Sequence, residues 1–249
     1  MHTSQLKREV CLLQILTFSI LKKHIFLLLV LAVCSTSYAG LIISFKHVFN
    51  QQGLKLNAAQ YSSNTNEKIA FTKLKYYVGN ISFVYESGKV YSDSKRYHLL
   101  DFEKPASMMW DLEGVPEGKI VRVDFGIGVD SLSNAEGLMD GDLDPMNGMY
   151  WAWSSGFINF KLEGNYGDKQ NEFKYHIGGF LMPNQSYQSA SIPLNLTVEK
   201  SKELAIDIYV NLASLFNNAK IESESSILSP SLKAKKYASK LPQMFSSQP

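Results

Sequence analysis

The chain has 249 residues, 45% of them hydrophobic, with Lys and Arg at 25 against Asp and Glu at 23, a formal charge of +2. That near-balance carries no basic footprint for nucleic acid, and the length suits one large all-β domain or two small ones. The two cysteines, Cys11 and Cys34, both lie near the amino end, so the bulk of the chain has no thiolate chemistry to offer.

The first 39 residues read as an address. Lys22 and Lys23 precede an apolar run over Ile25–Val33, and a small-residue stretch over Ser35–Ala39 follows. A charged region, a short apolar core and an A-x-A-like end are the signature of a secretory signal peptide, with Ser37 and Ala39 flanking cleavage before Gly40. The run is shorter than the ~20 apolar residues that span a bilayer, so a membrane anchor is the weaker reading. Lipoprotein processing at Cys34 would place the bulky Val33 just before it. Residues 1–20 stand upstream of the signal as an extension. Cleavage would remove four basic residues and one acid, taking the charge from +2 to −1, and would leave a cysteine-free chain over 40–249 in the periplasm or outside the cell.

Period-two alternation, the mark of a half-buried strand, recurs along this part. In chain order the predicted strands are Leu41–Phe49, Phe71–Val78, Ile81–Tyr85, Tyr97–Leu100, Met108–Leu112, Lys119–Val129, Phe157–Leu162, Glu172–Ile177, Leu194–Val198 and Leu204–Val210. The clearest is Lys119–Val129, where Val121, Val123, Phe125, Ile127 and Val129 share one face. Turn residues punctuate them at Glu86–Gly88, Pro116–Gly118, Gly164–Asn165 and Pro183–Asn184. Short helices are expected only at Leu212–Phe216 and Leu232–Lys240. The pattern predicts an all-β, β-sandwich-like single domain with long loops. Asp130–Tyr150 is the longest irregular stretch, a length that loops in small domains seldom reach without a function.

Three histidines follow residue 40. His47 shares a strand face with Ile43, Phe45 and Phe49, a setting that suits a hydrogen-bonded core residue. His98, next to Tyr97 in the predicted strand Tyr97–Leu100, reads as a strand residue at the surface. His176 points away from Phe173, Tyr175 and Ile177 and precedes Gly178 and Gly179, which permit close approach of a ligand or backbone. Imidazole is a common ligand for copper and zinc, and a cysteine-free site relies on it. Met149, Trp151 and Trp153 fall on one side of an extended chain, as core packing or as a site. Asp130, Asp140, Asp142 and Asp144 invite calcium, but their spacing is not that of an EF-hand loop. No nucleophile elbow, zincin, phosphate-loop or dinucleotide pattern occurs, so nothing points to an enzyme.

The run from Gly141 to Gly164 (GDLDPMNGMYWAWSSGFINFKLEG) strongly resembles the central signature of the MbnP-like, methanobactin-associated copper-binding proteins. Phe125–Leu132, the strand with His47, Phe71–Ile81, Tyr97–Asp101 and Phe173–Gly179 are similar to further segments of that family. Ile227–Pro230 with Gln243–Phe245 resembles its tail, although Ser231 stands where the family often has glycine. The resemblance implies an exported β-rich protein that binds copper through histidines, with candidates His47, His98 and His176. It also implies a tryptophan oxidised to kynurenine, with candidates Trp151 and Trp153, by a partner di-haem oxidase of the MbnH type. Imidazoles with a kynurenine carbonyl or amine make a nitrogen and oxygen site suited to Cu(II). The alternative is a metal-free carbohydrate- or peptide-binding, adhesive β-sandwich that uses the tryptophan pair and the long loop.

Overall fold

The computed structural model describes residues 39–248, apart from 58–59, 138–139, 154–155, 201 and 218–220. The predicted signal segment, apart from Ala39, lies outside the described residues. The strands of five residues or more are β1 (Ala39–Phe49), β2 (Lys68–Tyr85), β3 (Tyr97–Asp101), β4 (Met109–Val115), β5 (Gly118–Ile127), β6 (Gly156–Tyr166), β7 (Asn171–Gly178), β8 (Gln188–Val198) and β9 (Leu204–Asn211). They build two sheets with the main core between them, the expected sandwich-like all-β arrangement. Among the described residues no helix is long and apolar enough to cross a membrane.

β1 is the centre of the smaller sheet. It pairs in parallel with β9, from Leu41 opposite Leu204 to Val48 opposite Asn211. Its other edge takes β4, with Ile43 opposite Trp110, and then the short strand Gln52–Gly53. The outer edge of β9 is closed by Phe245–Ser246.

β2 organises the larger sheet. The two predicted strands Phe71–Val78 and Ile81–Tyr85 are one element of 18 residues, with a register shift between Gly79 and Ser82 where Asn80 adopts a left-handed φ of 51°. An alternation that breaks phase at such a bulge reads as two strands in sequence. Lys75 and Tyr76 pair with β3 on one edge and β6 on the other, while Val78 and Gly79 pair with β3 and β5. β5 and β6 therefore follow one another along a single edge of β2, with β8 beyond β5 and β7 beyond β6.

Their junction is a buried polar joint. Asn159, fully enclosed, accepts the Val129 N–H at 3.0 Å and donates to Ser186 Oγ at 3.0 Å. These bonds satisfy the backbone where the ladder passes from one strand to the next, as burial requires. Gly128 makes the passage possible. Its φ is +103°, and a Cβ there would lie 2.3 Å from Asn159 Cγ. In β5 it is Ile120, not Val121, that enters the core, because a register shift separates the β2 pairs Val84–Arg122 and Tyr85–Ile120.

The described residues of the stretch 130–150 hold three short helical turns. Asp130 accepts the Ser133 N–H at 2.8 Å and caps a helix over Ser131–Glu136, and two 3-10 turns follow at Gly141–Leu143 and Pro145–Asn147. This segment covers the outer face of the larger sheet, where Leu143, Met149 and Trp151 join Tyr77, Leu99 and Phe157 in a second apolar cluster. Each such side chain contributes about 2 kcal/mol by leaving water, which orders a segment with little regular structure.

Candidate metal centre

β1 carries Phe45 and His47 on one face, two residues apart and both turned into the space between the sheets. His47 Nε2 lies 2.8 Å from the Tyr76 hydroxyl of β2, and its ring meets those of Tyr76 and Phe102 edge-on, at 5.7 and 5.3 Å. Burial holds the His47 imidazole down to about 3, against a smaller opposing effect of its hydrogen bond with the Phe45 backbone. Burial also pushes the Tyr76 phenol well above its ordinary value. At neutral pH the pair is an uncharged imidazole beside an uncharged phenol.

β3 sets His98 opposite Val78, a core residue of β2, so His98 faces the same inter-sheet layer. Its ring lies on the Trp110 indole with centroids 3.8 Å apart and planes 12° from parallel. Trp110 in turn stacks on Phe45 of its own sheet at 5.5 Å. The run Phe45–Trp110–His98 thus crosses from the smaller sheet to the larger one, with His47 on the strand face that starts it.

Asp93 closes this group. Its Oδ2 lies 2.8 Å from His98 Nε2 and accepts the Trp110 Nε1–H at 3.2 Å, while Oδ1 accepts the Lys95 N–H at 3.0 Å. Burial alone would raise the Asp93 carboxyl, but the bonds from His98, Lys95 and Trp110 outweigh it and hold it below the ordinary range.

His176 stands elsewhere. It pairs with Lys161, which pairs with Lys75, a row on the outer face of the larger sheet. Its Nε2 lies 2.8 Å from Glu163 Oε1, and burial lowers its pKa in spite of that partner. Of the three histidines the structure brings His47 and His98 into one layer and leaves His176 on the opposite side of the sheet.

The tryptophan pair also sits on the outer face. Trp151 is buried against Gly178, two residues along from His176, and Trp153 is 67% exposed with its ring 5.7 Å from that of Trp151. Neither touches the inter-sheet layer. Of the acids singled out in the 130–144 segment, Asp130, Asp142 and Asp144 accept backbone N–H groups. Asp130 and Asp144 cap helical turns, and Asp142 Oδ2 accepts the Leu99 N–H at 2.9 Å and pairs with Lys95 at 2.8 Å.

Reading by strand faces put His47 in the core but left His98 at the surface, where the structure instead buries it, and it missed Trp110, Asp93 and Tyr76. The only signal was the alternation of Met108–Leu112, which makes Trp110 a strand residue without saying what it meets. The possible metal donors of the layer are two imidazoles, a phenol and a carboxylate, with no thiolate. Such a nitrogen and oxygen set fits Cu(II), and histidines alone can serve Cu(I). Among the described residues no group of three or more His, Cys, Asp or Glu is arranged to hold a metal ion.

The sequence model of the MbnP family matches residues 38–231. No curated protein sequence matches the chain. Among solved structures, MbnP from Methylosinus trichosporium superposes with a TM-score of 0.50 at 12% identity, covering 73% of this chain and 78% of that one. At that identity the likeness is one of fold.

Proposed function

The chain belongs to the MbnP family of methanobactin-associated proteins, and from that premise we propose that it is an exported copper-binding protein whose site is built on His47 and His98. The observation that carries this reading is the inter-sheet run Phe45–Trp110–His98 beside the buried His47. A neutral imidazole presents a lone pair at pH 7, and burial keeps His47 neutral far below that. Copper is cargo here, held for acquisition, storage or delivery in the periplasm or outside the cell, with no substrate turned over.

The layer also favours one tryptophan for the kynurenine that the family resemblance implies. Trp110 lies on a histidine of the site, whereas Trp151 and Trp153 stand on the far face of the sheet. A di-haem oxidase of the MbnH type is the proposed partner for that oxidation. Conversion would turn an indole, which is no metal ligand, into a carbonyl and an aniline nitrogen beside His98.

Copper titration of the purified protein against a chromophoric chelator tests the proposal. Stoichiometric binding is expected, lost in His47→Ala and His98→Ala and kept in His176→Ala. Equal binding by all three variants would overturn it.

A second reading, an adhesive or carbohydrate-binding sandwich, draws on a different observation. Trp153, Leu181 and Met182 are at least 66% exposed near a cavity of about 190 Å³ lined in part by Trp151, Phe180 and Pro230. Glycan or peptide binding that survives copper removal and fails in Trp153→Ala would favour it.

A further inference from the structure

Asp93 is bound to both rings of the proposed site, and this deepens the copper reading on which it rests. One oxygen, Oδ2, lies 2.8 Å from His98 Nε2 and 3.2 Å from Trp110 Nε1, while the other accepts the Lys95 amide at 3.0 Å. The side chain is 7% exposed and the His98 side chain 8%. The indole N–H and the amide N–H can only donate, so the carboxylate accepts from both. An ionised carboxylate has no proton to give, so the third contact must also be a donation towards it.

We infer that Asp93 is the positioning residue of this centre: it fixes the proton of His98 on Nε2, leaves Nδ1 as the nitrogen available to a metal, and locks the imidazole against Trp110. The chemistry is that of a histidine whose far nitrogen donates to a carboxylate, which sets tautomer and ring orientation and makes the near nitrogen a better ligand. The shared oxygen accounts for the parallel stacking. Two N–H donors that converge on one acceptor from stacked rings hold the planes together, here 12° from parallel. Asp93 is itself held by its own amide, which donates to Ile81 of β2 at 2.9 Å. The larger sheet therefore aims the carboxylate, and the carboxylate aims one ring from each sheet.

The test uses the full exported protein and needs no variant for its first arm. Long-range proton–nitrogen correlation spectra of histidine-labelled, copper-free protein report which ring nitrogen of His98 carries the proton. Nε2–H is expected, and a neutral Nδ1–H form would overturn the inference. The second arm is Asp93→Asn, whose amide keeps the shape but cannot accept at both of its positions. Copper affinity is expected to fall roughly 10- to 100-fold, the usual effect of removing such a partner, with the His98 tautomer no longer uniform and the circular dichroism unchanged. A folded Asp93→Asn protein that binds copper as tightly as the parent would overturn the role. The copper reading fails separately, when the parent protein shows the Nε2–H form and yet binds no copper.

Discussion

The imidazole of His98 and the indole of Trp110 come from different sheets and lie 3.8 Å apart, nearly parallel. The contact ties the two halves of the sandwich at the proposed centre, and the Asp93 carboxylate anchors it from one side. Replacing Trp110 by Phe keeps an aromatic face but removes the N–H that meets a charge. A loss of about 1.5–3 kcal/mol is expected, the range for hydrogen bonds to charged groups. Urea unfolding should show it as a lower midpoint at an unchanged slope, and a midpoint equal to that of the parent would count against the contact.

If Trp110 is the residue oxidised by the proposed di-haem partner, protein made together with such an oxidase is expected to carry the change in the Met108–Leu112 peptide. Intact mass followed by peptide mapping would reveal the exchange of one indole carbon for one oxygen. A modified Met149–Phe157 peptide with an unaltered Trp110 would refute the placement and move the centre to the outer face, beside His176.

Acid should weaken the fold through His47. Its pKa is about 3 in the native state against an ordinary 6.5, so the unfolded chain takes up a proton that the folded one refuses. Stability then falls as pH drops from about 6.5 towards 3 and is level in this respect below that, by up to about 4–5 kcal/mol. Burial lowers His176 too and adds in the same direction. The difference between the parent and His47→Gln isolates the larger effect. Urea midpoints of the two proteins that run parallel between pH 7 and 3 would contradict it.

Gly128→Ala should be strongly destabilising, because the backbone there is left-handed and the new methyl would overlap Asn159. A cost of about 2–4 kcal/mol is expected, with overpacking and strain acting together. Asn159→Leu leaves the Val129 N–H and the Ser186 hydroxyl without their partner at a comparable cost. Thermal melts in which either variant matches the parent would remove the junction from the account of the fold.

Much of this architecture was legible beforehand, because half-buried strands write their two faces into the chain. Leu41–Phe49, Tyr97–Leu100, Glu172–Ile177 and Leu204–Val210 differ from the observed strands by no more than two residues at either end. The break inside β2 was misread, since a bulge at Asn80 shifts the phase of the alternation without ending the strand. The helix at Ser131–Glu136 was missed: only Ser133 and Asn134 of its six residues are buried, so it has no apolar stripe to announce it. The candidate site was half visible. Strand faces put His47 in the core and the family resemblance singled out His98, but the partners that give them meaning come from the other sheet and from the turn at Asp93. Adjacency across a sandwich leaves no mark in local spacing, and the prominent W-x-W motif lies on the outer face of the larger sheet, away from the layer that holds His47 and His98.

The parallel pairing of β1 with β9 has a bearing on how the protein comes into being. The strand that bears His47 is among the first to emerge, and the neighbour it needs begins at Leu204. So distant a contact is slow to form, because the chain must close a loop of some 160 residues before any ladder bond rewards it. Until then one edge of β1 is open, His47 stands in water, and its imidazole is free to be protonated or to take stray metal. The inter-sheet layer is thus a late product of folding, and a chain interrupted before Leu204 would present the His47 strand without the neighbour that completes its sheet.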